Sequence, residues 1–254
     1  KAYNIKLAIF MEYLKKIFLL FVPPIFLKLF KRRYQYMSKF ATYEAAQNVS
    51  NIYNDQNATK KFLGPDNIEV SGRFNLIPLL ALSLNKKKIK ILDYGGGSNP
   101  VYSYIKSSTN IKVNTTVIEP EDFCKIIKNK IPKKHKKYVN YVSTIKKLNT
   151  NSFDIICFNS SMQYLNEYEN LFKELTKFKP RFFLITRTNF HEGKKNYFTL
   201  ECGIKGSLHP YIFFSIPQFM KFMKSNGYKL IFSNRYNVNR YKHKNIDGKT
   251  FFHK

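Results

Sequence analysis

The sequence has no tryptophan and only three cysteines in 254 residues. Cys124, Cys157 and Cys202 are odd in number, widely spaced and without a CxxC pair, which argues against a disulfide framework and against a structural zinc site. A reducing compartment is the expectation, and no metal site is indicated. A bilayer-spanning run of about 20 apolar residues is also missing: the longest uncharged stretch near the start, residues 17–27, has 11 residues and is broken by Pro23 and Pro24. No small-residue cleavage site follows it, so a secretory signal is not indicated. Arginine is scarce, 7 against 37 lysines, and arginine is the better bidentate reader of phosphate and guanine. No internal repeat is visible.

The length accommodates one α/β domain with an appendage. Hydrophobic residues at 44% and charged residues at 24% exclude disorder over most of the chain. A net charge of +28 points to an anionic partner, a membrane, a phosphorylated sugar or RNA. Yet 37 Lys occur beside 25 Asn, 24 Phe and 18 Tyr, the profile of A/T-rich codon drift, so most of the charge reads as compositional. In the segment before residue 34, Phe18, Leu19, Phe21, Ile25, Phe26, Leu29 and Phe30 precede Lys31, Arg32 and Arg33. That pattern fits an interfacial element over residues 17–33 on an anionic membrane, or a cap helix packed on the domain. The expected location is cytoplasmic, with the inner face of the cytoplasmic membrane as the variant of that reading.

Residues 34–87 form a helical region: ATYEAAQNVSNIYN, a Gly64-Pro65-Asp66 turn, and RFNLIPLLALSL, read as a lid or substrate wall. From 88 to 254 the pattern alternates. KIKILDY, IKVNTTVIEP, KKYVNYVSTI, SFDIICFNSS, PRFFLITRT and GYKLIFSNRY are β-rich, while SNPVYSYIKSS, EDFCKIIKNK, NEYENLFKELTKF and SIPQFMKFMKSNG are amphipathic and helical. Such alternation predicts an α/β fold with a mostly parallel sheet and helices on both faces.

The chemistry concentrates where KIKILDY ends in Asp93 and runs into Gly95, Gly96 and Gly97, with Asn99 as the expected N-cap and Pro100 in the first helical turn. Glycines let a ligand lie against bare backbone, and this corner of the first strand is where doubly wound folds bind nucleotides. A dinucleotide fingerprint would need a third glycine where Pro100 stands. The D-x-G-x-G pattern resembles motif I of the class I S-adenosylmethionine-dependent methyltransferases, which implies a Rossmann-like, seven-stranded sheet and S-adenosylmethionine as cofactor. Glu119 ends the next strand 26 residues after Asp93, where an acid can accept both ribose hydroxyls.

The segments PPIFLK, ATYEAA, SFDIICFNSSMQYL, RFFLITRTNF, YFTLE and HPYIFFSIPQFMKFMKSNGYKLI together resemble a narrower methyltransferase family, one encoded among bacterial surface-polysaccharide clusters. The resemblance extends from about Pro23 to Tyr236 and implies methyl transfer to a glycan, a glycan precursor or another small molecule. Asn159, Ser160, Ser161, Met162 and Gln163 follow the fourth strand and are expected to face the cofactor, although simple helix capping would also explain the serines. Arg187, at the end of the fifth strand, is a candidate clamp for a phosphate or carboxylate of the acceptor. His191 and His209 are the candidate bases. Nucleic acid is the disfavoured acceptor, because the Asn-Ser-Ser-Met run lacks the two prolines and aromatic that grip a flipped base. An RNA methyltransferase and a non-catalytic binding protein that keeps the fold remain the alternatives.

Overall fold

The computed structural model describes residues 36–50, 61–67, 76–202, 207–235 and 246–253. The segment 17–33, and the membrane reading attached to it, lie outside the described residues. In chain order the elements are β1 (Tyr36–Phe40), α1 (Tyr43–Val49), α2 (Leu76–Ser83), β2 (Lys88–Tyr94), α3 (Val101–Ser108), β3 (Lys112–Ile118), α4 (Glu121–Lys128), α5 (Lys133–Lys136) and β4 (Val139–Val142). They continue with β5 (Ile155–Asn159), α6 (Tyr168–Thr176), β6 (Phe182–His191), β7 (Tyr197–Cys202), β8 (Leu208–Ser215), α7 (Ile216–Ser225), β9 (Tyr228–Arg235) and β10 (Ile246–His253). A short 3-10 turn at Met162–Tyr164 follows β5.

The parallel centre runs β4-β3-β2-β5-β6. Residues Ile155 to Phe158 of β5 and Phe182 to Ile185 of β6 are buried without interruption, because helices cover both faces of parallel strands. One face packs Leu92, Phe158 and Phe183 against Phe172 of α6 and Phe219 of α7. The other packs Ile91, Cys157 and Leu184 with Ile77 of α2, Ile105 of α3 and Ile127 of α4. Phenylalanine fills the first face: the Phe172 ring lies 4.9 Å from Phe158 and 5.0 Å from Phe183. Such ring pairs add to the stabilisation from apolar burial alone.

Among the described residues the sheet has ten strands, against the seven expected. β10 lies antiparallel between β6 and β9. The additional strands arise because β6 continues beyond the tip of β5, where Phe190 and His191 pair with Phe214 and Ser215 of β8. β8, β7 and β1 then follow as an antiparallel ribbon. Residues 36–40, read within a helical cap, are the outer strand of that ribbon. α7 starts where Ser215 accepts from the Gln218 amide at 3.2 Å, with proline inside the first turn.

The two helical segments before β2 have different positions. Tyr43 of α1 donates to the Tyr164 carbonyl at 2.9 Å, beside the end of β5. α2 lies at the opposite edge, where Leu76 and Leu79 border Arg181 and Phe182 at the start of β6. Of the pair, α1 alone walls the carboxyl edge, and the lid reading does not hold for α2. Cys157 is a core residue, 1% exposed, and all three cysteines are free thiols. Among the described residues no helix is long and apolar enough to cross a membrane.

Candidate active site

The strand order reverses direction around β2, with β3 on one side and β5 on the other, and the carboxyl ends of strands at such a switch point are where open α/β sheets bind ligands. The glycine turn stands at this switch point, directly after β2. Gly95 has φ +72° and donates to the Ile118 carbonyl at 3.0 Å; a Cβ there would sit 2.5 Å from the Ser161 Cβ. A Cβ on Gly96 would collide with the Asp93 carboxylate. Gly97 has φ +61° and nothing within 4 Å of its Cβ position, so its missing side chain leaves open space. Its amide donates to Glu119 Oε1 at 2.6 Å and its carbonyl accepts from the Tyr141 hydroxyl at 2.8 Å. The turn is thereby held from two neighbouring strand tips.

Asp93 is fully buried. Its Oδ2 accepts from the Val101 amide at 2.8 Å, while Oδ1 has no partner. Burial pushes its pKa up to about 7; the Val101 bond opposes that and the nearby Glu119 charge reinforces it. The N-cap position of α3 is Pro100, not Asn99, and no side chain at that position caps the helix. Asp93 supplies the cap from the end of β2. Asn99 instead donates to the Tyr104 hydroxyl, leaving its Oδ1 buried without a partner.

The tips of β5 and β6 are strained. Ser160 (φ +58°) and Arg187 (φ +54°) are non-glycine residues in the left-handed region. The Ser160 amide donates to the Thr186 carbonyl at 2.9 Å, and Thr186 Oγ1 donates to Asn159 Oδ1 at 3.0 Å. On β6, Thr186 and Arg187 together oppose Gly248 of β10, a bulge that turns the exposed Arg187 out of the ladder. The Arg187 charge also works against the burial that raises the Tyr104 pKa, so its guanidinium is within electrostatic reach of α3. Gln163, 1% exposed, donates to Ser160 Oγ at 3.2 Å and accepts from Thr188 Oγ1 at 3.3 Å. Ser161 donates to the Tyr94 carbonyl at 2.5 Å, fastening the turn after β5 to the glycine turn. It makes no side-chain cap, which removes the capping explanation for Ser161.

The two candidate histidines part company. His191 accepts from the Gly193 amide through Nδ1 at 3.1 Å, packs against Tyr197, and has its Nε2 enclosed without a partner. No contact brings it to the glycine turn. His209 pairs across the ribbon with Glu201 and shares a 2.9 Å hydrogen bond with Ser207. Its ring meets Tyr164, whose hydroxyl donates to Glu201. Burial lowers the His209 pKa and the Glu201 charge partly restores it. Tyr36 accepts from Asn189 at 2.8 Å and packs on Tyr211 at 4.9 Å.

Sequence reasoning missed Tyr36, Tyr141, Tyr164 and Glu201. A signal was present for Glu201: in YFTLE and HPYIFF the residues Thr199 and Glu201 alternate in step with Tyr211 and His209, the period of a half-buried ribbon. Among the described residues no group of three His, Cys, Asp or Glu side chains is arranged to hold a metal ion.

No protein-family model and no curated protein sequence matches the chain. Solved structures do. The chain is similar to the 1,6-didemethyltoxoflavin-N1-methyltransferase of Burkholderia thailandensis, crystallised with S-adenosylhomocysteine, at a TM-score of 0.52 and 13% identity, over 72% of this chain and 79% of that one. It is similar to a SAM-dependent methyltransferase of Methanosarcina mazei at 0.51 and 11% identity, over 68% and 96%. It is also similar to the [4+2]-cyclase SpnF at 0.52 and 12% identity, over 71% and 81%. The chain therefore has the α/β fold of the class I SAM-dependent methyltransferases. The cyclase shows that this fold also serves another reaction.

Proposed function

We propose that the protein is an S-adenosylmethionine-dependent methyltransferase acting on a saccharide or other small molecule, in keeping with the sequence resemblance to a surface-polysaccharide family. The observation that carries this reading is Gly97: a left-handed residue whose vacant Cβ position opens on free space while its amide is held by the acid at the next strand tip. That is a cradle for a ligand laid against backbone, and it lies at the switch point of the strand order. The cofactor's chemistry, when bound, is an activated methyl group on a sulfonium centre.

The residues fit such a group. Glu119 would accept from the ribose hydroxyls, and the Gly95 to Gly97 backbone would lie along the methionine end. Glu119, and Asp93 where it is ionised, would set negative charge behind the cationic centre. Asn159 and Ser160 would face the cofactor's sulfonium region, with the buried Gln163 holding Ser160 from behind. Displacement at a methyl carbon demands alignment and exclusion of water, and base assistance for a hydroxyl acceptor. Of the two histidines, His209 is favoured as that base, because its ring meets Tyr164, the residue after Gln163, and it pairs across the ribbon with Glu201. Arg187, turned outward by the bulge, would clamp an anionic group of the acceptor.

Calorimetric titration tests the reading: wild type is expected to bind S-adenosylmethionine and S-adenosylhomocysteine, and Glu119→Ala to lose about tenfold or more in affinity. Absence of binding by the wild type, or equal binding by the variant, would reject it. A labelled-methyl assay across cell-surface glycan extracts then identifies the acceptor.

A further inference from the structure

Five large hydrophobic side chains are exposed among the described residues; three of them border one groove, and a fourth stands on the helix that lines it. Leu79 (60%) and Leu82 (52%) stand a turn apart on α2; Ile231 (46%) and Phe232 (44%) stand on β9. Leu79, Ile231 and Phe232 border one groove of about 460 Å³, whose floor includes Leu80 and Phe182. This face lies at the amino edge of the parallel strands, away from the glycine turn.

Its rim is cationic. Lys86, Lys87 and Lys88 lead into β2, Lys179 and Arg181 into β6, and Lys229 into β9, and all six are exposed. These three approaches contain no acid. The neighbouring carboxylate, Asp154 before β5, is engaged by Lys86 Nζ and by the Lys90 amide. An exposed apolar patch of this kind marks an interaction surface. Aliphatic and aromatic side chains flanked by lysines match a surface whose charge is diffuse and anionic and whose interior is apolar. Lysine, a flexible point charge, suits a field of headgroups better than one oriented carboxylate.

We infer that this face docks the protein on an anionic lipid bilayer, with Leu79, Leu82, Ile231 and Phe232 in the headgroup boundary and the lysines on the lipid phosphates. The inference does not depend on the methyl-transfer reading. It has a geometric consequence for it: a chain docked by its amino edge turns the glycine turn away from the lipid, toward acceptors in solution.

The test is flotation of the full chain with vesicles of phosphatidylcholine alone and of phosphatidylcholine mixed with phosphatidylglycerol, across a salt series. The wild type is expected to float with the anionic vesicles and to be released by salt. Leu79→Asp with Leu82→Asp, both on the outer face of a helix, should cut the bound fraction at least about tenfold. Should that variant fail to fold, Lys87→Glu with Lys179→Glu should give a loss of similar order through charge alone. Wild-type protein that stays at the bottom of the gradient overturns the proposal. So does flotation unchanged in both variants, which would move attachment to another segment. A chain that sediments as a dimer, becomes monomeric in Leu79→Asp with Leu82→Asp and ignores lipid would make this face a contact between copies, and would equally overturn it.

Discussion

At the carboxyl edge of the parallel strands the chain gathers Asp93, Glu119 and Glu201, a three-glycine turn and two non-glycine residues with positive φ; at the amino edge it gathers lysines, exposed leucines and an apolar groove. The amino-edge approaches do have positive-φ residues, Asn85 and Lys179, but both lie just past helix ends, where the left-handed conformation ends a helix. Ser160 and Arg187 do no such service. Their strain sits on adjacent strand tips around the proposed cofactor site, the distribution expected when backbone geometry is held for function. The two edges thus differ in charge: Asp93, Glu119 and Glu201 stand at the carboxyl edge, whereas Lys86, Lys87, Lys88, Lys179 and Arg181 lead into the strands at the amino edge.

The sharpest way to break this contrast is inside the glycine turn. Gly95→Ala sets a Cβ 2.5 Å from the Ser161 Cβ at φ +72°, so it should lower unfolding free energy by about 3–5 kcal/mol by chemical denaturation. Gly97→Ala meets no protein atom. It should cost only about 1 kcal/mol, from its positive φ, while weakening S-adenosylmethionine binding at least about tenfold. If Gly97→Ala binds the cofactor as wild type does, the open space beside Gly97 is not the cofactor's place.

Asp93 gives the next largest effect. Its carboxyl titrates at about 7 in the folded chain, against an ordinary 3.8. Between those values the native state keeps a proton that the unfolded chain has released, so wild-type stability falls as pH rises from about 4 to about 7. Asp93→Asn removes that penalty and still offers an oxygen to the Val101 amide. The variant should gain on wild type by up to about 4 kcal/mol between pH 4 and pH 8, and bind the cationic cofactor more weakly. A constant difference across that range would show that burial does not govern Asp93.

The carboxyl edge was readable from sequence where its determinants are local. KIKILDY followed by three glycines announces a buried strand and a tight left-handed turn within ten residues, and VIEP announces the acid at the adjacent tip. What escaped is nonlocal. The cap of α3 comes from Asp93, eight positions before the amide it serves, and not from the nearer Asn99. β1 is fixed by β7, with Thr199 donating to the Ser38 carbonyl across 161 residues, so no window on YMSKF could separate strand from helix. The choice between His191 and His209 likewise depends on where the continuation of β6 meets β8. The amino-edge patch was hidden for another reason: LIPLLALS reads as part of a lid or substrate wall, and only the packed structure shows Leu79 and Leu82 uncovered at the opposite edge.

The smallest predicted effect compares the two edges residue for residue. Arg187 and Lys179 have nearly the same left-handed φ, +54° and +50°, and each is an exposed cation. Glycine at either position relieves the Cβ clash of that conformation, so Arg187→Gly and Lys179→Gly should each raise stability by roughly 0.5–1 kcal/mol. Their functional consequences should diverge. Lys179→Gly should leave methyl transfer unchanged, whereas Arg187→Gly should raise KM for an anionic acceptor by tenfold or more, the loss of a charge-assisted contact of about 1.5–3 kcal/mol. Equal behaviour of the two variants would mean that the β6 bulge is a folding feature with no part in binding. A destabilised Arg187→Gly would mean that the guanidinium's attraction to its surroundings outweighs the strain of holding it there.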